Sequence, residues 1–405
     1  MKRCLIIADD FTGANDTGVQ LVIRGIETNV ILDGKDITDV NISYVLDTET
    51  RNMNSELAYR CVKDKLIGIC FNDFDLIYKK VDSTLRGNIS SELKAIDEEY
   101  KPDLIVFAPA YPDNGRITKN AIHYVNNTRV IESEFSKDPK KPVMEDNIQK
   151  ILQFNFSEPV IHHNLTEIRE NKINLKNARI HTFDAENNGD LEEMVLSAIS
   201  TDKKVLWVGS AGLANVILNI VRPKKPVLAI VGSLSEVSRK QVKYAENKGI
   251  SVLKIDVSSI LQGENNIEDY TNLAKDILNQ GKDLIITSAY DLIDYEKSIN
   301  VGKTLSKTKE EVSSITQDIL GGIGKKIIET SNISGLFITG GDVAIGFIKN
   351  TNTVGSKIIE EISTGIPLMK LIGGEFNGLK VVTKAGGFGK EEAIYHSIEK
   401  LKEEK

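Results

Sequence analysis

Short runs of consecutive apolar residues alternate along this chain with longer stretches in which apolar residues recur every three or four positions. The runs predict strands covered on both faces, and the wider spacing predicts amphipathic helices packed over them. In the first half the predicted strands are residues 4–8, 30–32, 44–46, 76–80, 104–107, 160–162, 178–183 and 205–208, with helices at 55–67, 88–99 and 190–199. Arg222-Pro223-Lys224-Lys225-Pro226 then interrupts the rhythm with two prolines and no apolar residue, which marks a domain boundary. Strands at 227–231, 251–255, 284–287, 335–339 and 379–383 and helices at 236–247, 267–279, 309–329 and 391–402 restart it. Strands and helices that take turns in this way predict an α/β protein of two domains, 1–222 and 223–405, each a largely parallel sheet flanked by helices.

At 405 residues the chain exceeds the roughly 250 to 300 at which a single core stops growing. Its 40% hydrophobic and 27% charged content is that of a globular protein, and no apolar run approaches the roughly 20 residues that a bilayer requires, so no membrane partner is expected. Met1-Lys2-Arg3 and the short run 4–8 lack the long apolar segment of a secretory signal, which predicts a cytoplasmic protein. The net charge of −7 argues against nucleic acid as a partner, since that needs a basic face. Cys4, Cys61 and Cys70 form no metal or redox spacing and are expected as buried free thiols. His162-His163 reads as a strand end, and Lys400 to Lys405 as a frayed, solvated helix terminus.

Candidate chemistry gathers where the predicted strands end. Ala8 to Gly18 packs three carboxylates, two hydroxyls and two glycines into eleven residues. A helix N-cap uses one carboxylate. Two adjacent ones, Asp9 and Asp10, before a glycine turn point to a ligand at the carboxyl end of a first strand. Arg51 follows the third strand, and Lys80, Asp82, Ser83, Thr84 and Arg86 follow the fourth. Arginine can hold a carboxylate through two parallel hydrogen bonds while Asp and Ser bond hydroxyls, so the first half reads as built for a small hydroxylated anion. The loop Pro109 to Arg116 is expected to add polar groups at the same edge.

The second half carries glycine and hydroxyl clusters instead. Gly232-Ser233-Leu234-Ser235, Gly340-Gly341-Asp342 and the segment Lys384 to Lys390 each lie between a strand and a helix. Backbone N–H groups at such turns, with no Cβ in the way, hold phosphate oxygens. Turns before helices favour Gly and Ser in any case, but three in one half-chain favour a phosphate-bearing ligand. Two look-alikes fail. Gly302-Lys303-Thr304 has Lys297 where a P-loop needs its first glycine, and Gly321 to Lys325 falls in a helical stretch and lacks the third glycine of a dinucleotide fingerprint.

In combination and order, Ala8-Asp9-Asp10-Phe11-Thr12-Gly13-Ala14, Lys80 to Asn88, Gly209 to Ala214, Gly340 to Ala344 and Thr383 to Gly389 resemble the signatures of the four-carbon acid sugar kinase family across the whole chain. The resemblance implies an N-terminal acid-sugar domain, a C-terminal nucleotide domain, and ATP-dependent phosphorylation of the terminal C4 hydroxyl of a four-carbon acid sugar. The segment Gly13 to Gln20 is similar to that of the D-threonate and D-erythronate kinases; a 3-oxo-tetronate kinase and an inactive acid-sugar sensor of the same fold are the alternatives. By position, the acid sugar would meet Asp10, Arg51, Lys80, Asp82, Ser83 and Arg86, with Asp9 or Asp10 as the base. The nucleotide would meet Ser233, Ser235, Gly340, Gly341, Asp342, Val343 and Gly386. Mg2+ is expected to accompany ATP, with Asp342 acting through it and Lys384 supplying part of the positive charge that a P-loop lysine gives elsewhere. A homodimer is left open.

Overall fold

A computed structural model describes residues 3–288 and 290–403, and the side chains of Asp342, Lys349 and Asn350 lie outside that description. The chain divides into two compact units, Met1–Pro223 and Lys224–Glu404.

The first unit runs β1 (Cys4–Ala8), α1 (Phe11–Val22), β2 (Thr28–Ile31), β3 (Ser43–Asp47), α2 (Ser55–Leu66), β4 (Leu76–Lys80), α3 (Ile89–Tyr100) and β5 (Leu104–Ala108). Three short strands follow, β6 (Arg116–Lys119), β7 (Ile122–Val125) and β8 (Thr128–Arg129). It closes with α4 (Ile148–Gln153), β9 (Val160–His163), α5 (Leu165–Arg169), β10 (Ile180–Phe183), α6 (Asn188–Ile199), β11 (Val205–Gly209) and α7 (Ala211–Val221). Eight strands form one parallel sheet in the order β2-β3-β1-β4-β11-β5-β10-β9. Both faces are covered. Leu5 and Ile7 of β1 enter one core with Val62 and Leu93, while Cys4, Ile6 and Ala8 enter the other with Ala14 and Leu21. A strand buried on both sides favours apolar residues on both faces, which explains the uninterrupted runs.

The second unit runs β12 (Val227–Val231), α8 (Glu236–Asn247), β13 (Ser251–Lys254), α9 (Val257–Gln262), α10 (Ile267–Asn279), β14 (Leu284–Thr287), α11 (Leu292–Thr304) and α12 (Lys309–Thr330). It ends with β15 (Gly335–Thr339), α13 (Gly341–Asn350), β16 (Gly355–Ser363), β17 (Ile366–Ile372), β18 (Lys380–Lys384) and α14 (Ala393–Leu401). The sheet order is β13-β14-β12-β15-β18-β17-β16; all pairs are parallel except those of β17, which runs antiparallel to both β18 and β16. Gly321 and Gly324 lie inside α12. No helix among the described residues is long and apolar enough to cross a membrane.

Three expectations need correction. Residues 109–115 form the expected loop after β5, but it does not line the cavity described below; Arg116 begins the antiparallel sheet β6-β7-β8, where Tyr111 bridges Arg116. Cys70 is exposed, because it sits in the turn that precedes β4 rather than in the sheet; Cys4 is buried and Cys61 half-buried. Lys400 and Lys402 of the expected frayed terminus are instead paired, with Glu360 and with Asp283, while its residues 404 and 405 lie outside the described ones.

Adjacent residues at the end of β4 go to opposite faces. Lys79 meets Glu92 of α3 at 2.6 Å, with side chains 0% and 1% exposed. A charge buried this deeply is tolerated only while paired. Lys79→Met should therefore cost about 3–5 kcal/mol in urea unfolding, and Lys79→Met with Glu92→Leu should recover most of it. A single variant as stable as the wild type would show that the pair carries no such charge.

Candidate functional site

The loops after β3, β1 and β4 meet at one sheet edge, because these strands are neighbours and all point the same way. The chain leaves β1 toward β2 and β3 on one side and has β4 on the other, which makes this a switch point of the sheet. Backbone bonds tie the loops together, Thr48 N–H to Ala8 O at 2.9 Å and Arg51 N–H to Asp9 O at 3.1 Å.

Arg51 dominates the geometry. Its Nε and Nη2 donate to Asp9 Oδ2 and Oδ1, both at 2.9 Å, and its Nη1 and Nη2 donate to Asp10 Oδ2 and Oδ1, both at 2.7 Å. Burial pushes the guanidinium down, but Asp9, Asp82 and Asp10 outweigh it and hold the charge on. The carboxylates differ. Asp9 is buried with both oxygens on Arg51, whereas Asp10 is partly exposed and also caps α1 through Gly13 N–H at 3.0 Å. Gly87, at φ +112, passes so close that a Cβ there would stand 2.9 Å from Asp9 Oδ2.

A cavity of about 310 Å³ opens on Asp10, Arg51 and Arg86. Asp138, Lys140 and Lys141 also line it, which the sequence reading missed; the signal was there in two lysines set between Pro139 and Pro142. Arg86 is held by Asp82 at 2.8 Å and Asp138 at 3.1 Å, and Lys141 Nζ donates to Asn88 Oδ1 at 2.6 Å. Among the described residues no ion pair is formed by Lys140.

Lys80, Asp82 and Ser83 do not line this cavity. Lys80 is buried under the turn after β1, its Nζ on Val81 O at 3.1 Å and 3.1 Å from where a Gly13 Cβ would stand. Burial pushes its ammonium down, while Asp9 and Asp82 push it back up. Burial likewise raises the Asp82 carboxyl, but bonds from Arg86 and Thr84 and the charge of Arg51 prevail and hold it at about 2. Ser83 offers its carbonyl, which accepts from His123 Nε2 at 2.8 Å; Thr118 Oγ1 lies 3.0 Å from the other ring nitrogen. Burial pushes His123 down to about 4, so it is neutral near pH 7 and acts as a fixed support under the 82–87 turn. His123 could not be found from sequence, because it rides on a sheet that the periodicity does not reveal.

In the second unit the turns after β12, β15 and β18 also converge, since these strands too are adjacent and parallel. Gly232 N–H donates to Thr339 O at 3.0 Å, and Gly340 N–H to Lys384 O at 3.4 Å. Ser235 caps α8 through Ser238 N–H at 3.1 Å, and its hydroxyl donates to Gly386 O at 2.6 Å. Ser233 Oγ donates to Ser235 Oγ at 3.2 Å. Gly340 has φ +106, and Val343 packs under the turn, 2.5 Å from where a Gly232 Cβ would stand. Around Gly341, exposed at the start of α13, a Cβ would meet nothing within 4 Å. Gly386 is a glycine for a different reason than phosphate access: a Cβ would lie 2.2 Å from Ser233 Oγ. The side chain of Asp342 lies outside the described ones. Lys384 is buried below the loop rather than exposed beside it.

One unit thus presents carboxylates and cations at a sheet edge, and the other presents glycine turns with accessible backbone, which is the division of labour of a sugar phosphotransferase. Residues 4–217 match a family described as a sugar-binding N-terminal domain, and residues 228–394 match a nucleotide-binding C-terminal domain. The chain is 31% identical over 417 residues to a D-threonate kinase of Salmonella typhimurium, with 99% of each chain covered. It is 26% identical to a D-erythronate kinase of Heliobacterium modesticaldum (99% and 97% covered) and 25% identical to a 3-oxo-tetronate kinase of Brucella melitensis (98% and 95%). The same fold occurs in a crystal structure of a Bordetella bronchiseptica domain of unknown function, solved with citrate as a domain-swapped dimer (TM-score 0.67, 24% identity, 99% and 98% covered). The chain belongs to the four-carbon acid sugar kinase family: it is an ATP-using phosphotransferase with an alcohol group as acceptor.

The two glycines should separate under substitution. Gly386→Ala forces Ser233 to shift and should destabilise the second unit by about 1–3 kcal/mol, whereas Gly341→Ala should leave stability unchanged, both read by calorimetric unfolding. The Asp82 ion pairs should show in acid. Because the folded carboxyl titrates at about 2, below its ordinary 3.8, their contribution is complete above the ordinary value and is lost as pH falls through about 2. Asp82→Asn should remove that part of the acid dependence in pH-dependent unfolding.

Proposed function

We propose that this enzyme transfers the γ-phosphoryl group of ATP to the terminal C4 hydroxyl of D-threonate or D-erythronate. The observation that carries this reading is the cavity at the first unit's switch point, a space of about 310 Å³ that Asp10, Arg86 and Lys140 line together. The identity to the Salmonella D-threonate kinase supports it over a 3-oxo acid.

A four-carbon acid has its carboxylate at one end and the reacting hydroxyl at the other. Arg86, Lys140 and Lys141 hold the carboxylate end. Arg51 has most of its donors committed to Asp9 and Asp10, so in this reading it fixes the acidic pair and leaves one N–H for the ligand. Asp10 orients the terminal hydroxyl and accepts its proton as attack proceeds. Asp9 is too enclosed for that task, and Asp82, held at about 2, is too weak a base. In the second unit, Ser233, the Gly340 to Val343 turn and the loop at Gly386 receive the nucleotide.

In this reading Mg2+ comes with the nucleotide phosphates, a role that needs only one or two protein carboxylates. Asp342, following Gly341 at the start of α13, is the residue proposed to reach it. Bound there, the ion would neutralise charge developing on the transferred group. The protein's own part is to bind, orient and hold the proton. A homodimer belongs to this reading, with the open edge of β16, exposed along nearly its whole length, as the surface that needs covering. Light scattering of the purified chain decides it.

Release of ADP with a panel of four-carbon acids should be fastest with D-threonate or D-erythronate. Fastest release with a 3-oxo-tetronate moves the assignment to that acceptor, and release with none from folded protein makes the chain a sensor. Asp10→Asn should lower kcat by about 10²- to 10⁴-fold with little change in binding. Arg86→Ala should weaken acid binding more than tenfold with nucleotide affinity unchanged, about 2 kcal/mol or more for a charge left poorly paired. Equal use of the uncharged four-carbon polyol by the wild type would sink the carboxylate assignment.

A further inference from the structure

Lys384 ends β18 with its side chain buried, and its ammonium meets no carboxylate among the described residues. Its contacts are carbonyls. Nζ donates to Ala385 O at 3.0 Å, Gly386 O at 3.1 Å and Phe388 O at 3.1 Å, with Ser238 Oγ at 3.4 Å. Two residues of α8 pull the same way. Ser238 Oγ donates to Gly386 O at 2.9 Å, and Gln241 Nε2 contacts Phe388, Gly389 and Lys390 carbonyls at 3.0, 3.1 and 2.8 Å.

Each peptide unit sets its N–H opposite its C=O. A loop whose carbonyls are gathered on one side turns its N–H groups to the other, and successive N–H groups on one side make an anion-binding concavity. The N–H groups of Gly386, Gly387, Gly389 and Lys390 find no acceptor among the described residues, and Gly387, Gly389 and Lys390 are exposed.

We propose that Lys384 is a positioning residue for the nucleotide phosphates: it does not touch them, but its buried cation draws in the carbonyls of the 385–390 loop and so aims that loop's N–H groups outward. The proposal rests on the reading of the second unit as the nucleotide site. It explains why a lysine here is buried rather than extended toward a ligand. A cation binding carbonyls polarises the peptides and strengthens their N–H donors, which a neutral group of equal size cannot do.

The groups facing Lys384 are Ser238 and Gln241 of α8 and the loop's own carbonyls, while the charged side chains of the loop, Lys390 and Glu391, are exposed. Burial alone acts on its titration and lowers it to about 8. The folded enzyme should therefore hold the cation below about 8 and lose it above.

The test is calorimetric binding of Mg-ATP to the whole chain without acid sugar, as pH rises through about 8, for the wild type and Lys384→Met. Wild-type affinity should fall across that range. Lys384→Met should bind more than tenfold more weakly, with no such pH dependence and with unchanged D-threonate affinity. A variant that binds Mg-ATP within twofold of the wild type overturns the proposal, and so does a weaker variant beside a flat wild-type profile, which assigns the effect to packing. Should the variant not fold, the wild-type profile alone decides, and a flat one again overturns it. No Mg-ATP binding by the wild type at any pH overturns the nucleotide reading first, and this proposal with it.

Discussion

Two adjacent carboxylates at the end of a buried strand repel each other and resist leaving water, and the first unit answers both problems with one guanidinium. Arg51 takes Asp9 in one fork and Asp10 in another, at 2.7 to 2.9 Å. The remaining parts of this edge follow from that clamp. Gly87 is a glycine because the chain after β4 must pass Asp9 closely, Lys80 is drawn under the same turn, and Asp82 stands 4.0 Å from the guanidinium while it holds Arg86. The carboxylates are therefore fixed before any ligand arrives. A polar site arranged in advance need not reorganise during reaction, which is where much catalytic advantage arises.

The second unit reaches a comparable end by other means. Its turns present few charged side chains; it presents backbone, held in place by hydroxyls and by one buried ammonium that faces carbonyls. The difference follows the ligands. A carboxylate is small and planar and is matched by guanidinium and ammonium groups, whereas a chain of phosphates offers many oxygens over a longer span and suits a row of N–H groups.

Some of this was legible in the chain. Strands such as Cys4–Ala8 and Val227–Val231 stood out because both of their faces are buried, which leaves an unbroken apolar run. The sheet β6-β7-β8 and the strand β16 did not, because the first three are only two to four residues long and partly exposed, and β16 is exposed along nearly its whole length, so neither leaves an apolar run. Missing that small sheet meant missing His123, which supports the Ser83 carbonyl from a strand 40 residues further along the chain. Asp138 and Lys141 escaped in the same way, since they reach the cavity through a loop with no strand or helix to announce it.

By itself the sequence determined which residue types stand at the carboxyl ends of parallel strands, since burial dictates the strands and the strands dictate where their loops begin. It also carried the acid-sugar kinase resemblance, because those loop motifs are continuous in the chain. Only the tertiary structure decided what each charge does. Arg51 became a clamp rather than a free grip, Lys80 and Lys384 became buried supports, and Gly386 became a packing glycine. The reason is that the state of a charged or small residue is set by neighbours brought from elsewhere in the chain, through distances of about 3 Å that no local pattern encodes.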